Sequence, residues 1–364
     1  MTTTQTTSLS SRERVQRMFA RQEQDRVPRH ESFWQETITR WQSEGLQGRT
    51  DAVLDMLGND FRGLCWSWPA PFPGQSEVIS EDEKTQVIRD AFGATGRFWK
   101  GRSGTPEHIG FECDSPDTWY RKFRQALIHA PVQVDLPEAV RLYDLARERG
   151  QWTHLTGVES FEATRKLMGD EISLEAFALE PEWISDVSRV HTDTVLRNFE
   201  AIMTTGIQPD GVWIYGDMAY KNATMCSPQM YKELIWPDHK RLADWAHERG
   251  MPIIFHTDGD VNGVLDLYIE AGFDCLQPLE AKANMDVRRI APTFGEKLAF
   301  FGNINVMLMA ANDRDALEHE IKTKFEAGKA TRGYAYHSDH SVPPNTSWET
   351  YRFVMECVRK YGNY

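Results

Sequence analysis

The segment 251–260, MPIIFHTDGD, sets one imidazole and two carboxylates directly after an apolar run. Neutral His256 and ionised Asp258, two residues apart, can share a divalent cation, and the same pair can work as an acid and a base. Asp260 has a further option, because its carboxylate can cap a helix that starts near Val261. The residues before His256 are β-branched or aromatic and read as a buried strand. Its C-terminal end would present this chemistry to a cavity.

The pattern recurs along the chain. Short apolar runs end at His30 and Glu31, at Trp66, at Glu159, at Asp217, at Glu280, at Asn303, and at His337, Asp339 and His340. Seven of eight such ends carry His, Asp, Glu or Asn. Carboxylates gathered in one place repel, so a cation or shared protons must offset them. His256, Asp258 and His340 are the candidate ligands of a divalent metal, since three protein ligands and an open position define a catalytic zinc site. Iron or manganese suits the same ligands. Glu159, Asp217 and Glu280 are candidates for acid–base work or for anchoring a substrate, and each could instead cap a helix. His30, Trp66, Asn303 and His337 are candidates for the substrate-facing wall. A metal-free proton-transfer site is the competing account.

Elements must hold these ends together. The runs near 27–31, 61–65, 153–158, 211–216, 251–255, 273–277, 298–301 and 333–336 read as strands. Helical periodicity falls between most of them, as at 161–168, 181–205, 228–248, 313–327 and 348–361, with an earlier helix at 11–20. Alternating βα units imply a parallel sheet with helices outside. Eight of them predict a closed (β/α)8 TIM barrel, whose catalytic groups sit at the C-terminal strand ends. The stretch 69–110 breaks the rhythm and reads as an inserted antiparallel meander. Residues 11–364 form one domain in this reading. Neither a GxGxxG nor a GxxxxGK motif is present to support an open nucleotide-binding sheet.

Composition narrows the class. The chain has 364 residues, of which 40% are hydrophobic and 26% charged, so a large core is affordable in a soluble protein. A net charge of −13 argues against nucleic acid and anionic membrane as partners. No apolar run approaches the ~18 residues that a membrane span needs. Residues 1–10 are polar and lack an apolar stretch, so a disordered tail is expected there. Five scattered cysteines without CxxC spacing suit the reduced thiols of a cytoplasmic protein. Of the twelve tryptophans, Trp34, Trp41, Trp66, Trp68 and Trp99 crowd the first hundred residues and suggest an aromatic wall.

Taken together, several motifs give the chain a resemblance. They are Arg12-Glu13-Arg14-Val15, Asp25-Arg26-Val27-Pro28, Tyr215-Gly216-Asp217, Cys226-Ser227-Pro228, His256-Thr257-Asp258-Gly259-Asp260, Ala271-Gly272-Phe273-Asp274, Phe301-Gly302-Asn303-Ile304 and Ser338-Asp339-His340-Ser341-Val342-Pro343-Pro344. With these the chain resembles the uroporphyrinogen decarboxylase-like superfamily, which includes the cobalamin-dependent methyltransferases. The resemblance implies a TIM barrel. True uroporphyrinogen decarboxylases carry an arginine-rich RQAGRY-type segment near the N-terminus. Here the region reads Pro28-Arg29-His30-Glu31, with one arginine followed by an acid. The methyltransferase branch binds zinc through His-x-Cys and a later Cys, and the matching positions here are His256, Asp258 and His340. Exchange of thiolates for Asp and His leaves a stronger Lewis acid, suited to an ether, hydroxyl or carboxylate oxygen.

The expectation is therefore a metal-dependent methyltransferase-like enzyme. It acts on a small methylated substrate and passes the methyl group to a corrinoid carried by a partner protein. The alternative is a decarboxylase of a small carboxylated substrate, and a non-catalytic scaffold is the third reading. Outer helices leave room for a homodimer.

Overall fold

The computed structural model describes residues 8–101 and 104–364. The expected tail at 1–10 lies mostly outside them, and its last residue, Ser10, caps the first helix by accepting from the Glu13 amide. Among the described residues the main sheet has seven parallel strands. They are β1 (Phe61–Gly63), β2 (Trp152–Val158), β3 (Gly211–Tyr215), β4 (Ile253–His256), β5 (Cys275–Gln277), β6 (Ala299–Phe301) and β7 (Tyr334–Ala335), paired in that order. Helices follow most strands, as βαβ units require.

The eighth expected strand, ending at His30, is extended backbone joined by single bridges. Tyr336 N–H donates to Pro28 at 2.8 Å, and His30 N–H donates to Tyr336 at 3.1 Å. On the other side Asp60 N–H donates to Arg29 at 2.9 Å. One segment thus meets both edges of the curled sheet. Buried Asp60 fastens this seam through ion pairs to Arg14 and Arg26, each at 2.7 Å, and by accepting from the Arg29 amide.

Alternation along the strands sorts the two faces. Phe61, Trp152, Trp213, Ile254, Cys275, Ala299, Phe301 and Ala335 form a buried inner cluster, closed by Val15 and Met18 of the helix Ser11–Phe19. A larger apolar layer lies between the sheet and the surrounding helices. Two helices differ from expectation for local reasons. The helix Ser160–Leu179 runs past residue 168 through a kink at Gly169, whose φ is +79°. A Cβ there would stand 2.3 Å from the Phe111 ring, so glycine lets the insertion dock. The expected single helix at 228–248 is two, Pro228–Leu234 and Trp236–His247, because Pro237 lacks an amide hydrogen to continue the first.

The insertion is an antiparallel sheet of four strands, Glu77–Glu81, Thr85–Arg89, Ala94–Trp99 and Glu107–Phe111. Lys166 ties it to the main body through Asp90 at 2.6 Å. Among the described residues no helix is long and apolar enough to cross a membrane.

Candidate active site

His256 is the last residue of β4, and its ring faces inward. Parallel register sets it beside Gln277 on β5 and Tyr215 on β3. Its Nδ1 hydrogen bonds the Gln277 carboxamide oxygen, which leaves Nε2 directed at Asp217 Oδ1, 3.6 Å away. The Tyr215 ring stacks on the imidazole with centroids 4.4 Å apart. Beyond the strand the chain turns sharply. Gly259 takes φ +87°, and a Cβ on it would come within 2.5 Å of the Ala219 backbone. That turn brings Asp258 back over the strand end, where its amide donates to Asp217 at 3.1 Å.

Ligand atoms of Asp217, His256 and Asp258 all lie within 4.8 Å of one another. Burial works against the imidazolium of His256, but pairing with Asp217 and the charge of Asp258 outweigh it and lift the group to about 9. Burial, opposed by His256 and reinforced by Asp217, pushes Asp258 up to about 6. For Asp217 burial is overcome by its pairing with His256, which holds it down at about 2. The Asp258 Oδ1 atom is buried without a hydrogen-bond partner. Such an atom is costly unless something fills its coordination.

Of the candidate ligands expected from sequence, His256 and Asp258 come together and His340 stands further out. The structure gathers Asp217 with His256 and Asp258, while His340 stands at the edge, 3.9 Å from Asp258 Oδ2 and stacked on Trp34. Glu280 adjoins the cluster, and its charge adds to the upward push on Asp258. It accepts from the Gly259 amide at 2.7 Å and from Lys282 at 2.9 Å, and so holds the 256–260 turn. Glu159 does not join. It is fully buried, caps the helix Ser160–Leu179 and pairs with His239 at 2.8 Å. Asn303 is also fully buried and brackets backbone, accepting from Val287 and donating to Leu279 and Met285. Asp260 accepts from the Asn262 amide at 3.1 Å and from its side chain at 2.8 Å, while Val261 is the N-cap of the short helix that follows.

Further inside the barrel lie His30, His154 and His337. Burial drives His30 and His154 down to about 3, and each is also lowered by a neighbouring histidine. Burial brings His337 down to about 4. All three are neutral imidazoles at physiological pH. Beneath His337, burial raises Glu31 to about 7, although Tyr336 and Ser338 donate to it. A cavity of about 510 Å³ opens beside the cluster, bounded by His30, Trp66, His154, Trp213 and Tyr215 among others. Tyr215 belongs to both, since it lines the cavity and stacks on His256.

Gln277, Tyr215 and His154 also belong to the candidate site by position, and the strand-end pattern does not mark them. They sit inside strands, so only an inward-facing parity count could have marked them.

The family model described as Uroporphyrinogen decarboxylase (URO-D) matches residues 162–361. The chain belongs to the URO-D family. The match takes in Asp217, His256, Asp258, Glu280 and His340, and it begins after Glu159 and the N-terminal segment. A uroporphyrinogen decarboxylase from Syntrophotalea carbinolica is 23% identical over 134 residues. That alignment covers 37% of this chain and only 38% of the relative's length. A methyltransferase from Methanosarcina mazei superposes with a TM-score of 0.66 over 97% of this chain and 99% of its own, at 12% identity. This likeness gives the fold: a TIM-barrel-like α/β architecture within the URO-D family.

Proposed function

We propose that this URO-D family member is a metal-dependent methyltransferase that acts on a small methylated organic molecule and hands the methyl group to a corrinoid on a separate protein. We also read the fold as a closed (β/α)8 barrel, with residues 27–31 as the eighth stave. The observation that carries the reading is the Asp217, His256 and Asp258 cluster with its unpartnered Asp258 oxygen. Two carboxylates and one imidazole fit a divalent ion such as zinc, with iron and manganese as close competitors. Such an ion would supply a Lewis acid toward the oxygen or nitrogen that bears the methyl group.

The chain's own residues prepare the place. Gln277 fixes the imidazole tautomer so that Nε2 faces the cluster, as outer partners of metal-binding histidines do. Glu280 and Lys282 hold the turn that carries Asp258. Tyr215 covers one face of His256 and separates it from the cavity's far wall. His340, partly exposed beside Asp258, is placed to contact a substrate or to complete the ligand set.

A second reading rests on the metal-free electrostatics. With its pKa near 9, His256 is an imidazolium that could return a proton to carbon after carbon dioxide leaves a small carboxylated substrate. The test is direct. Purified protein is supplied with reduced cobalamin and a panel of O-methyl and N-methyl compounds, and methylcobalamin formation is followed by absorbance. Carbon dioxide release from small carboxylates is assayed in parallel. Methyl transfer that is lost in His256→Ala supports the first reading. Decarboxylation without methyl transfer, also lost in that variant, would replace it with the second.

A further inference from the structure

The cavity beside the cluster holds a hydrogen-bond acceptor that the fold leaves free. Asn59 is oriented by the backbone of Phe61. Its Nδ2 donates to the Phe61 carbonyl at 2.7 Å, and its Oδ1 accepts from the Phe61 amide at 3.3 Å. The same Oδ1 lies 2.8 Å from His30 Nδ1. A carboxamide oxygen only accepts, so His30 Nδ1 carries the ring proton and Nε2 carries the lone pair. His30 lines the cavity, and among the described residues its Nε2 meets no hydrogen-bond partner. That nitrogen is not sealed among the buried partnerless atoms, so it opens on the void. His337 has no such capacity left, because Nδ1 donates to the Ser338 carbonyl and Nε2 faces the Ser32 hydroxyl at 3.2 Å. His154 Nδ1 meets the Thr156 hydroxyl at 3.0 Å, a partner that fixes neither tautomer.

The surrounding charges select an uncharged ligand. Arg62 bonds away from the cavity, to Gln151 at 3.4 Å and Asp51 at 3.6 Å, yet its field reaches both His30 and His154 and opposes a cation beside them. Asp135, exposed at the solvent end, opposes an anion there. Burial first, then His337 and Arg62, hold the His30 ring down at about 3, so it does not become a cation itself. The remaining lining is apolar. Leu64, Val134 and Leu142 contribute to it, and Trp66 and Tyr215, in contact at 5.0 Å, form one continuous aromatic wall. A void of about 510 Å³ with this lining suits a small ring compound.

We propose that this cavity binds an uncharged, hydroxylated ring compound whose O–H donates to His30 Nε2, with Asn59 fixing the imidazole as the acceptor. The contact needs neither metal nor corrinoid, and it goes beyond the reaction assigned above, since methyl transfer and decarboxylation both leave it in place. A ligand of the same shape without the donor leaves the lone pair unpaired once it has displaced water, and that loss sets the selectivity.

The test is equilibrium dialysis of the full-length protein at neutral pH against 2-naphthol, its isostere 2-methylnaphthalene, and the anion 2-naphthoate. 2-Naphthol should bind at least ~10-fold more tightly than 2-methylnaphthalene, and 2-naphthoate should bind more weakly than 2-naphthol. His30→Phe should erase the preference for the hydroxyl and leave 2-methylnaphthalene within a few-fold of its wild-type affinity. His30→Gln, whose carboxamide oxygen can accept, should keep part of the preference. A further readout needs no variant: in protein labelled with nitrogen-15 histidine, one unprotonated Nε2 resonance should shift with 2-naphthol and stay in place with 2-methylnaphthalene. Equal affinity for the two neutral probes in wild type, a preference that survives in His30→Phe, or tightest binding of 2-naphthoate would overturn the proposal. A hydroxyl preference in protein that holds no metal and methylates no cobalamin would leave the role of His30 standing and sink the reaction assigned above. Methyl transfer without any hydroxyl preference would do the reverse.

Discussion

At the scale of single residues, the barrel interior is defined by what its histidines do with protons. His256 is drawn up to about 9, while His30 and His154 are pushed down to about 3. The contrast comes from company: His256 has two carboxylates, whereas the inner pair has rings, amides and each other. A histidine whose folded pKa lies below its unfolded value of about 6.5 contributes stability that is complete above that pH. The contribution is lost as pH falls toward the folded value, because the unfolded chain takes up protons first. For His154 the difference corresponds to roughly 4–5 kcal/mol by pH 3. His154→Gln should therefore unfold at a lower pH than wild type when followed by far-ultraviolet circular dichroism, and coincident acid transitions would contradict the account. Glu31, raised to about 7, runs in the opposite direction between pH 4.5 and 7, so the comparison between the two proteins is the informative one. Reading the chain from its residues found His256, Asp258 and Asp217 because they follow apolar runs. It could not find Gln277 or Tyr215, whose roles depend on register with His256 across two strands.

At the scale of elements, the strand ends do the positioning, and their turns are under strain that only certain residues tolerate. Gly259 is the clearest case, with φ +87° and Ala219 backbone where a Cβ would go. Gly259→Ala should cost about 1–3 kcal/mol from backbone strain alone and should also displace Asp258. Thermal melting and metal binding report the two effects, and a variant that matches wild type in both would contradict this placement. Of the eight strands expected from apolar runs that stop at polar residues, seven form the parallel sheet, with limits that differ by a residue or two. The strand expected at 273–277 shortens to Cys275–Gln277. The helix Val306–Ala311 was invisible because it spans six residues, too few to show periodicity, between the cap Asn305 and the left-handed Asn312. Glu159 takes the capping alternative open to it from the sequence. A carboxylate at a strand end that also begins a helix can serve the helix, and Glu159 does so through the amides of Phe161 and Glu162.

At the scale of the whole molecule, the curled sheet depends on the seam where residues 27–31 meet both edges. Asp60 is fully buried there between Arg14 and Arg26. Asp60→Ala would take the carboxylate from Arg26 and leave Arg14 with Asp25 alone, a loss of about 3 kcal/mol. A urea-unfolding midpoint within error of wild type would show that the seam does not hold the barrel. The curled sheet brings Asp217, His256 and Asp258 from two different strand ends to one point, with the aromatic cavity beside them. The proposed function requires a divalent metal at that point. The measurement that tests it most directly is metal content of protein purified without added metal or chelator, in wild type, His256→Ala and Asp217→Asn. About one zinc, iron or manganese per chain is expected in wild type, from three protein ligands, and little in either variant. Wild-type protein that holds no metal and does not gain thermal stability when zinc, iron or manganese is added would contradict it, and would leave the cluster as proton-transfer machinery.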